Sequence, residues 1–191
     1  MDRGAGRGAT TMRLVRFRLE VRWSALVLLA AYLVAGVLTA VAGGRVVVGG
    51  TDGILASALL FIVLAFGAAL FHELGHALAA LLFGRRPLGL VLKAGAAIRI
   101  EAPRPGSRGE SAPAESLVAL GGPIASGLLG LAYFGVSTSF STPFAWAGLL
   151  ALFDAVANLV PVVHSDGERV LQALTHPAPS APSTPTGGEG G

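Results

Sequence analysis

Near the middle of the chain, Phe71-His72-Glu73-Leu74-Gly75-His76 contains an H-E-x-x-H pattern. Four residues apart on a helix, His72 and His76 project from one face a single turn apart, where both imidazoles can bind one zinc ion. Glu73 lies beside them. It is placed to take a proton from an activated water and return it to a leaving amine, the general acid/base role in zinc-dependent hydrolysis. With 4 histidines in the chain, the pattern arises in roughly 0.3% of shuffled sequences. The competing structural reading is three polar groups hydrogen-bonded between helices.

Two histidines leave a catalytic zinc short, since such an ion takes three protein ligands and keeps a position for water. Further along, residues 158–167 read Asn-Leu-Val-Pro-Val-Val-His-Ser-Asp-Gly. Asp166 can meet His72 and His76 if the two segments lie at one depth, because Pro161 cannot donate to the carbonyl of Ala157 and so lets the following segment bend. Its alternative is a turn residue capping the helix that begins at Gly167. His164 is a ligand, a partner of a ligand or an interfacial histidine. Asp154, one turn before Asn158, is a rival ligand, a polar partner at the site or a protonated acid hydrogen-bonded between helices. Asn158 is an oxyanion donor or an interhelical hydrogen bond.

These residues have to be positioned by a very apolar chain. Of 191 residues, 53% are hydrophobic and 13% charged, and the mean hydropathy is +0.69. That excludes an ordinary soluble domain and predicts an integral membrane protein in the lipid bilayer. No cysteine is present, which removes disulfides, thiolate zinc sites, iron-sulfur clusters and Cys nucleophiles. Any metal must use His, Asp or Glu. The net charge of +3 comes from arginines ahead of the first apolar run (Arg3, Arg7, Arg13, Arg16, Arg18, Arg22) and a second basic group, Arg85 to Arg108. Such clusters mark membrane orientation and not a nucleic-acid face. Thirteen arginines against one lysine suggest a GC-rich, bacterial genome and hence a bacterial cell membrane.

Apolar runs long enough to cross roughly 30 Å of hydrocarbon, about 20 residues each, occupy Ser24 to Gly43, Gly53 to Phe83, Ser116 to Gly135 and Phe144 to Val163. The reading is an all-α membrane protein of about four transmembrane helices. Both termini are then cytoplasmic, and Arg45 alone among the 14 basic residues is external. Ala40-Val41-Ala42 also resembles a signal-peptidase site, which makes cleavage of the first run a rival. Between the second and third spans, Leu88 to Glu101 suggests a β-hairpin or a re-entrant segment turning at Lys93-Ala94-Gly95, or else an irregular interfacial loop. Ala102 to Ala114 should be mobile. Gly167 to His176 has an amphipathic helical pattern. The expected organisation is a basic N-terminal segment, 1–23, a membrane core, 24–176, and a disordered tail, 177–191.

With both motifs in view, the chain resembles the site-2 protease family of intramembrane zinc metalloproteases. Its H-E-x-x-H corresponds to His72, Glu73 and His76, and its N-x-x-P with a later D-G to Asn158, Pro161, Asp166 and Gly167. A third signature, G-P-x-x-N, is matched only in part by Gly122-Pro123-Ile124-Ala125-Ser126, with Ser in place of Asn. Ser165 and Glu168 depart from the residues usual around the D-G and should alter the local turn. The resemblance covers about Gly53 to Leu174. It implies a zinc cofactor with Asp166 as third ligand, Glu73 as base and Asn158 near the scissile carbonyl. The substrate class it implies is a single-span membrane protein such as a membrane-tethered regulator. With no stretch long enough for a regulatory domain, this reads as a core-only member relying on prior trimming or an unseen regulatory partner. Gly122, Ser126 and Gly130 recur every four residues and read as a close-packing stripe. Two other classes compete: a non-proteolytic regulator keeping the fold, against which Glu73 argues, and a metal transporter, which would spread polar residues along several spans.

Overall fold

The computed structural model describes residues 17–42, 51–93, 95–137 and 142–175. The expected tail, 177–191, and Arg45 lie outside them. The order is β1 (Arg18–Val21), α1 (Ser24–Ala42), α2 (Thr51–Leu82), β2 (Pro87–Lys93), β3 (Gly95–Ile100), a 3₁₀ turn at Arg108–Glu110, α3 (Ala112–Ser137), α4 (Thr142–Leu159) and α5 (Asp166–Thr175). Two helical segments, Gly53–Leu82 and Ala112–Ser137, are long and apolar enough to cross a membrane. Ser24–Leu38 and Pro143–Leu159 are shorter apolar stretches.

The packing is inverted relative to a water-soluble bundle. Among the described residues, the buried hydrophobic side chains are all alanine apart from Phe61, Val91 and Val118, whereas Leu55, Leu59, Val63, Leu74, Leu78 and Leu81 of α2 face outward. Lipid supplies no hydrophobic drive for helices to associate, so they gain by bringing small residues together and leaving large ones to the surroundings. The closest approach is at Gly75 and Gly121. A Cβ on Gly75 would stand 2.2 Å from the Gly121 carbonyl oxygen, and one on Gly121 2.5 Å from that of Gly75. Two glycines therefore allow α2 and α3 to touch backbone to backbone.

The segment between α2 and α3 is an antiparallel hairpin, with Leu90 opposite Ile98 and Val91 opposite Ala97. The sheet has a third strand that the sequence reading missed. Composition marks the N-terminal segment only as basic, yet its residues 18–21 pair in parallel with β2, giving the order β1-β2-β3. A Cβ at Gly89 would lie 2.3 Å from the Arg18 carbonyl oxygen, so glycine permits that pairing. Glu20 accepts from Arg22 at 2.9 Å and from Arg99 of β3 at 2.9 Å. The Arg22 hydrogen bond holds its carboxyl below the usual range.

Helix α4 ends at Leu159, short of the Val163 boundary expected from hydropathy. Pro161 has no N–H to continue the ladder, and the chain turns through His164 at φ 69° into α5. Ser165 caps that helix. Its Oγ accepts from the Glu168 N–H at 3.0 Å, while the Glu168 carboxylate reaches back to the His164 N–H at 2.6 Å. This is a capping box shifted by one residue on its return arm. The two departures from the family pattern, Ser165 and Glu168, thus work as a pair that starts α5. Gly167 fits beneath the end of α4, where a Cβ would be 2.1 Å from the Leu159 carbonyl oxygen.

Candidate metal centre

The histidine pair sits where α3 crosses α2. His76 Nδ1 is 2.8 Å from the Val118 carbonyl oxygen. A carbonyl only accepts, so Nδ1 carries the proton and Nε2 presents a lone pair. The Gly122 nitrogen lies 3.3 Å from the same Nδ1, but an atom donating to Val118 cannot also accept there, and the shorter contact decides. His72 Nδ1 lies 2.9 Å from Ser126 Oγ and 3.0 Å from Asp154 Oδ2. Its Nε2 points the other way.

There the second motif arrives. Asp166 Oδ2 is 3.2 Å from His72 Nε2 and 3.3 Å from His76 Nε2, and the two Nε2 atoms are 3.1 Å apart. Ligand atoms around a tetrahedral zinc, each about 2.0–2.1 Å from the ion, are about 3.3 Å from one another. The triangle has that size. All three residues are buried, and whenever both rings are neutral with the proton on Nδ1, three lone-pair atoms face one another. A cation relieves that arrangement, so the donor set fits a metal ion. Gly122 faces the same spot, since a Cβ there would come within 2.3 Å of His76 Nε2 and 2.5 Å of His72 Nε2.

Glu73 is half-buried beside the trio, and its Oε2 accepts the Ile98 N–H of β3 at 2.6 Å. That N–H lies on the outer edge of β3, away from β2. A cavity of about 260 Å³ is lined by Glu73, the three candidate ligands, Ala96, Ala97, Ile98 and Ile100 of the hairpin, and Asn158, His164 and Arg169. Asn158 donates through Nδ2 to the Asp154 carbonyl oxygen at 3.0 Å and to Asp154 Oδ1 at 2.9 Å. His164 is exposed at the rim.

His72, Glu73, His76, Asn158, His164 and Asp166 all line this cavity, and Asp154 reaches its border through His72 and Asn158. Among the described residues, the converging metal-ligating group is His72, His76 and Asp166; Asp154 and His164 are outside it. The capping role weighed for Asp166 falls to Ser165 instead, which leaves the Asp166 carboxylate free to turn toward the histidines.

A family model described as peptidase M50B-like matches residues 54–163, a stretch holding the histidine pair, α3 and α4. The chain belongs to the peptidase M50B-like family. Among solved structures it is similar to the site-2 protease from Methanocaldococcus jannaschii, with a TM-score of 0.57 and 20% identity over 82% of this chain. It spans 66% of that chain's length. No curated protein matches. The fold is therefore that of a site-2 protease.

Within this peptidase fold, three contributors had no clear signal in the sequence. Gly122 and Ser126 read as a close-packing stripe and a partly matched signature, yet Gly122 also faces the Nε2 atoms of both histidines and Ser126 touches His72. The third is a chain of ion pairs. Arg85, buried, donates to the Glu101 carbonyl at 3.0 Å and to Glu115 Oε2 at 2.5 Å; Arg169 donates to Glu115 Oε1 at 2.7 Å and lies 3.7 Å from Asp166 Oδ1. Glu115 thereby ties the end of α2, the start of α3 and α5 together. The signal available was one of composition: with only 11 acidic residues in 191, a carboxylate at the end of an apolar run implies a partner.

Proposed function

We propose that the protein is an intramembrane zinc endopeptidase that hydrolyses a peptide bond in or near a transmembrane segment of another membrane protein. The observation that carries the reading is the triangle of His72, His76 and Asp166 with Glu73 in the same cavity. Helices α1 to α4 are read as four spans with both termini cytoplasmic, in keeping with the arginine distribution. The working unit takes in the proposed core, 24–176, and extends back to Arg18 because β1 pairs with β2.

Zinc held by His72, His76 and Asp166 supplies, when bound, a Lewis acid for the scissile carbonyl and water of lowered pKa. Glu73 takes the proton of the attacking water and delivers it to the leaving amine. Asn158, on the cavity wall, donates toward the oxyanion once a substrate displaces its contact with Asp154. A helical substrate hides its carbonyls in its own hydrogen bonds and must be unwound first. The outer edge of β3 offers an extended segment a pairing partner beside Glu73.

The test uses purified wild type and Glu73→Gln in detergent or liposomes, with bound zinc and cleavage of a panel of single-span membrane proteins as readouts. The expected result is zinc in both and cleavage by wild type alone, abolished by a chelator and restored by added zinc. Equal cleavage by Glu73→Gln overturns the assignment of the base. Zinc uptake without cleavage of any panel member by either protein favours the non-proteolytic regulator.

A further inference from the structure

Asp154 is an acid in the middle of an apolar helix, and none of the proposed steps uses it. Both of its oxygens are engaged. Oδ1 accepts from Asn158 Nδ2 at 2.9 Å, while Oδ2 accepts from the Ser126 hydroxyl at 3.0 Å and stands 3.0 Å from His72 Nδ1. The placement excludes a fourth ligand. The carboxylate approaches the Nδ1 side of the ring, so the imidazole stands between it and the Nε2 atom that faces His76 and Asp166.

From this geometry we infer that Asp154, together with Ser126, is the positioning residue that holds His72 in its metal-binding tautomer and sets the affinity of the centre; the inference rests on the metal reading above. A serine alone leaves the tautomer open, because its hydroxyl can donate to a bare Nδ1 or accept from a protonated one. A carboxylate only accepts. With Asp154 present, the single Ser126 proton goes to Oδ2, the Nδ1 proton is shared between Oγ and Oδ2, and Nε2 is left bare. His76 reaches the same state through the Val118 carbonyl, so the two ligands are oriented by acceptors of different charge. A histidine ligand whose second nitrogen donates to a carboxylate is a stronger donor to its metal.

Charge agrees. Two neutral histidines, one aspartate and a divalent cation leave one positive charge among the ligands themselves, and Asp154 adds a carboxylate directly behind one of them. The arrangement also accounts for the serine that stands where the family signature has asparagine. Ser126 is fully buried, and its short side chain bridges the His72 ring and the carboxylate on α4, at 2.9 Å and 3.0 Å. The departure and the unusual acid form one device.

Zinc affinity of the full chain, measured by competition with a chromogenic chelator, and the electronic spectrum of its cobalt(II) form together test the inference. Asp154→Ala is expected to weaken zinc binding toward the upper end of a 10–100-fold range, and Asp154→Asn, of nearly the same shape, toward the lower end. The cobalt bands should move in both. Val156→Ala, an outward-facing change on the same helix, should alter neither readout. Should the alanine variant fail to fold, the asparagine variant decides. Wild-type affinity and an unshifted cobalt spectrum in a folded Asp154 variant overturn the inference, while loss of zinc in Asp166→Ala leaves the metal reading standing. A wild-type protein that takes up no zinc defeats the metal reading and this inference with it.

Discussion

The three candidate ligands reach one point by different means. His72 and His76 are placed by the repeat of a single helix and by the glycine contact that lets α3 press against it. Asp166 sits after a broken helix, at the first position of α5, where a proline, a left-handed His164, a serine cap and an ion pair through Arg169 and Glu115 together decide where its carboxylate lies. The histidine pair takes its position from helix geometry and glycine contacts, with the Ser126 and Asp154 side chains acting on the His72 ring alone. The aspartate is held by side-chain chemistry that single substitutions can remove. The pair is the fixed half of the centre and α5 the adjustable half.

Substitutions can break or sharpen that contrast. The largest effect belongs to Glu73→Gln, which on the proposed reading should lower cleavage by about 10²–10⁴-fold with zinc content unchanged, because Glu73 lies outside the group of candidate ligands. Next is Gly122→Ala. It adds a Cβ 2.3–2.5 Å from the two Nε2 atoms and should abolish zinc uptake, read by metal analysis, with the helical circular dichroism retained. If zinc still binds, the fixed half is more yielding than the contrast allows. Third, Glu115→Gln leaves Arg85 and Arg169 short of a charge partner. A cost of about 1–3 kcal/mol in stability is expected in denaturant unfolding, with faster proteolytic cutting around α5 than around α2. The smallest is Ser165→Ala, which removes the α5 cap at about 1 kcal/mol. It should weaken zinc binding through Asp166 while leaving His72 and His76 in place, which histidine NMR signals can follow.

Much of the centre was legible because its motifs are local. H-E-x-x-H states its own geometry once a helix is granted, and apolar runs show where α2 and α3 lie. The hairpin was legible as one of two readings, from its apolar strands and central turn residues. Strand β1 was not, since four residues with alternating charge and hydrophobicity in an arginine-rich leader give no sign of a partner some 70 positions away. The α4 boundary was overrun because hydropathy continues past Leu159, whereas the helix stops when Pro161 has no N–H to donate. Ser126 was undervalued for a similar reason: a small residue at four-residue spacing has the same appearance whether it packs against an alanine or against a candidate metal ligand.

Residue types and short spacings alone determined that the chain is apolar enough for a membrane, that two histidines share a helical face with a carboxylate next to them, and that a second acidic motif follows a helix break. Only the tertiary structure decided that Asp166, and not Asp154 or His164, completes the triangle, that Asp154 stands behind His72, and that β3 lies against Glu73. The division has a physical cause. Periodicity and ring constraints act within a few residues and are written in the chain, whereas the distance between two helices depends on how closely their backbones can approach, and here Gly75 and Gly121 set that distance from 46 positions apart.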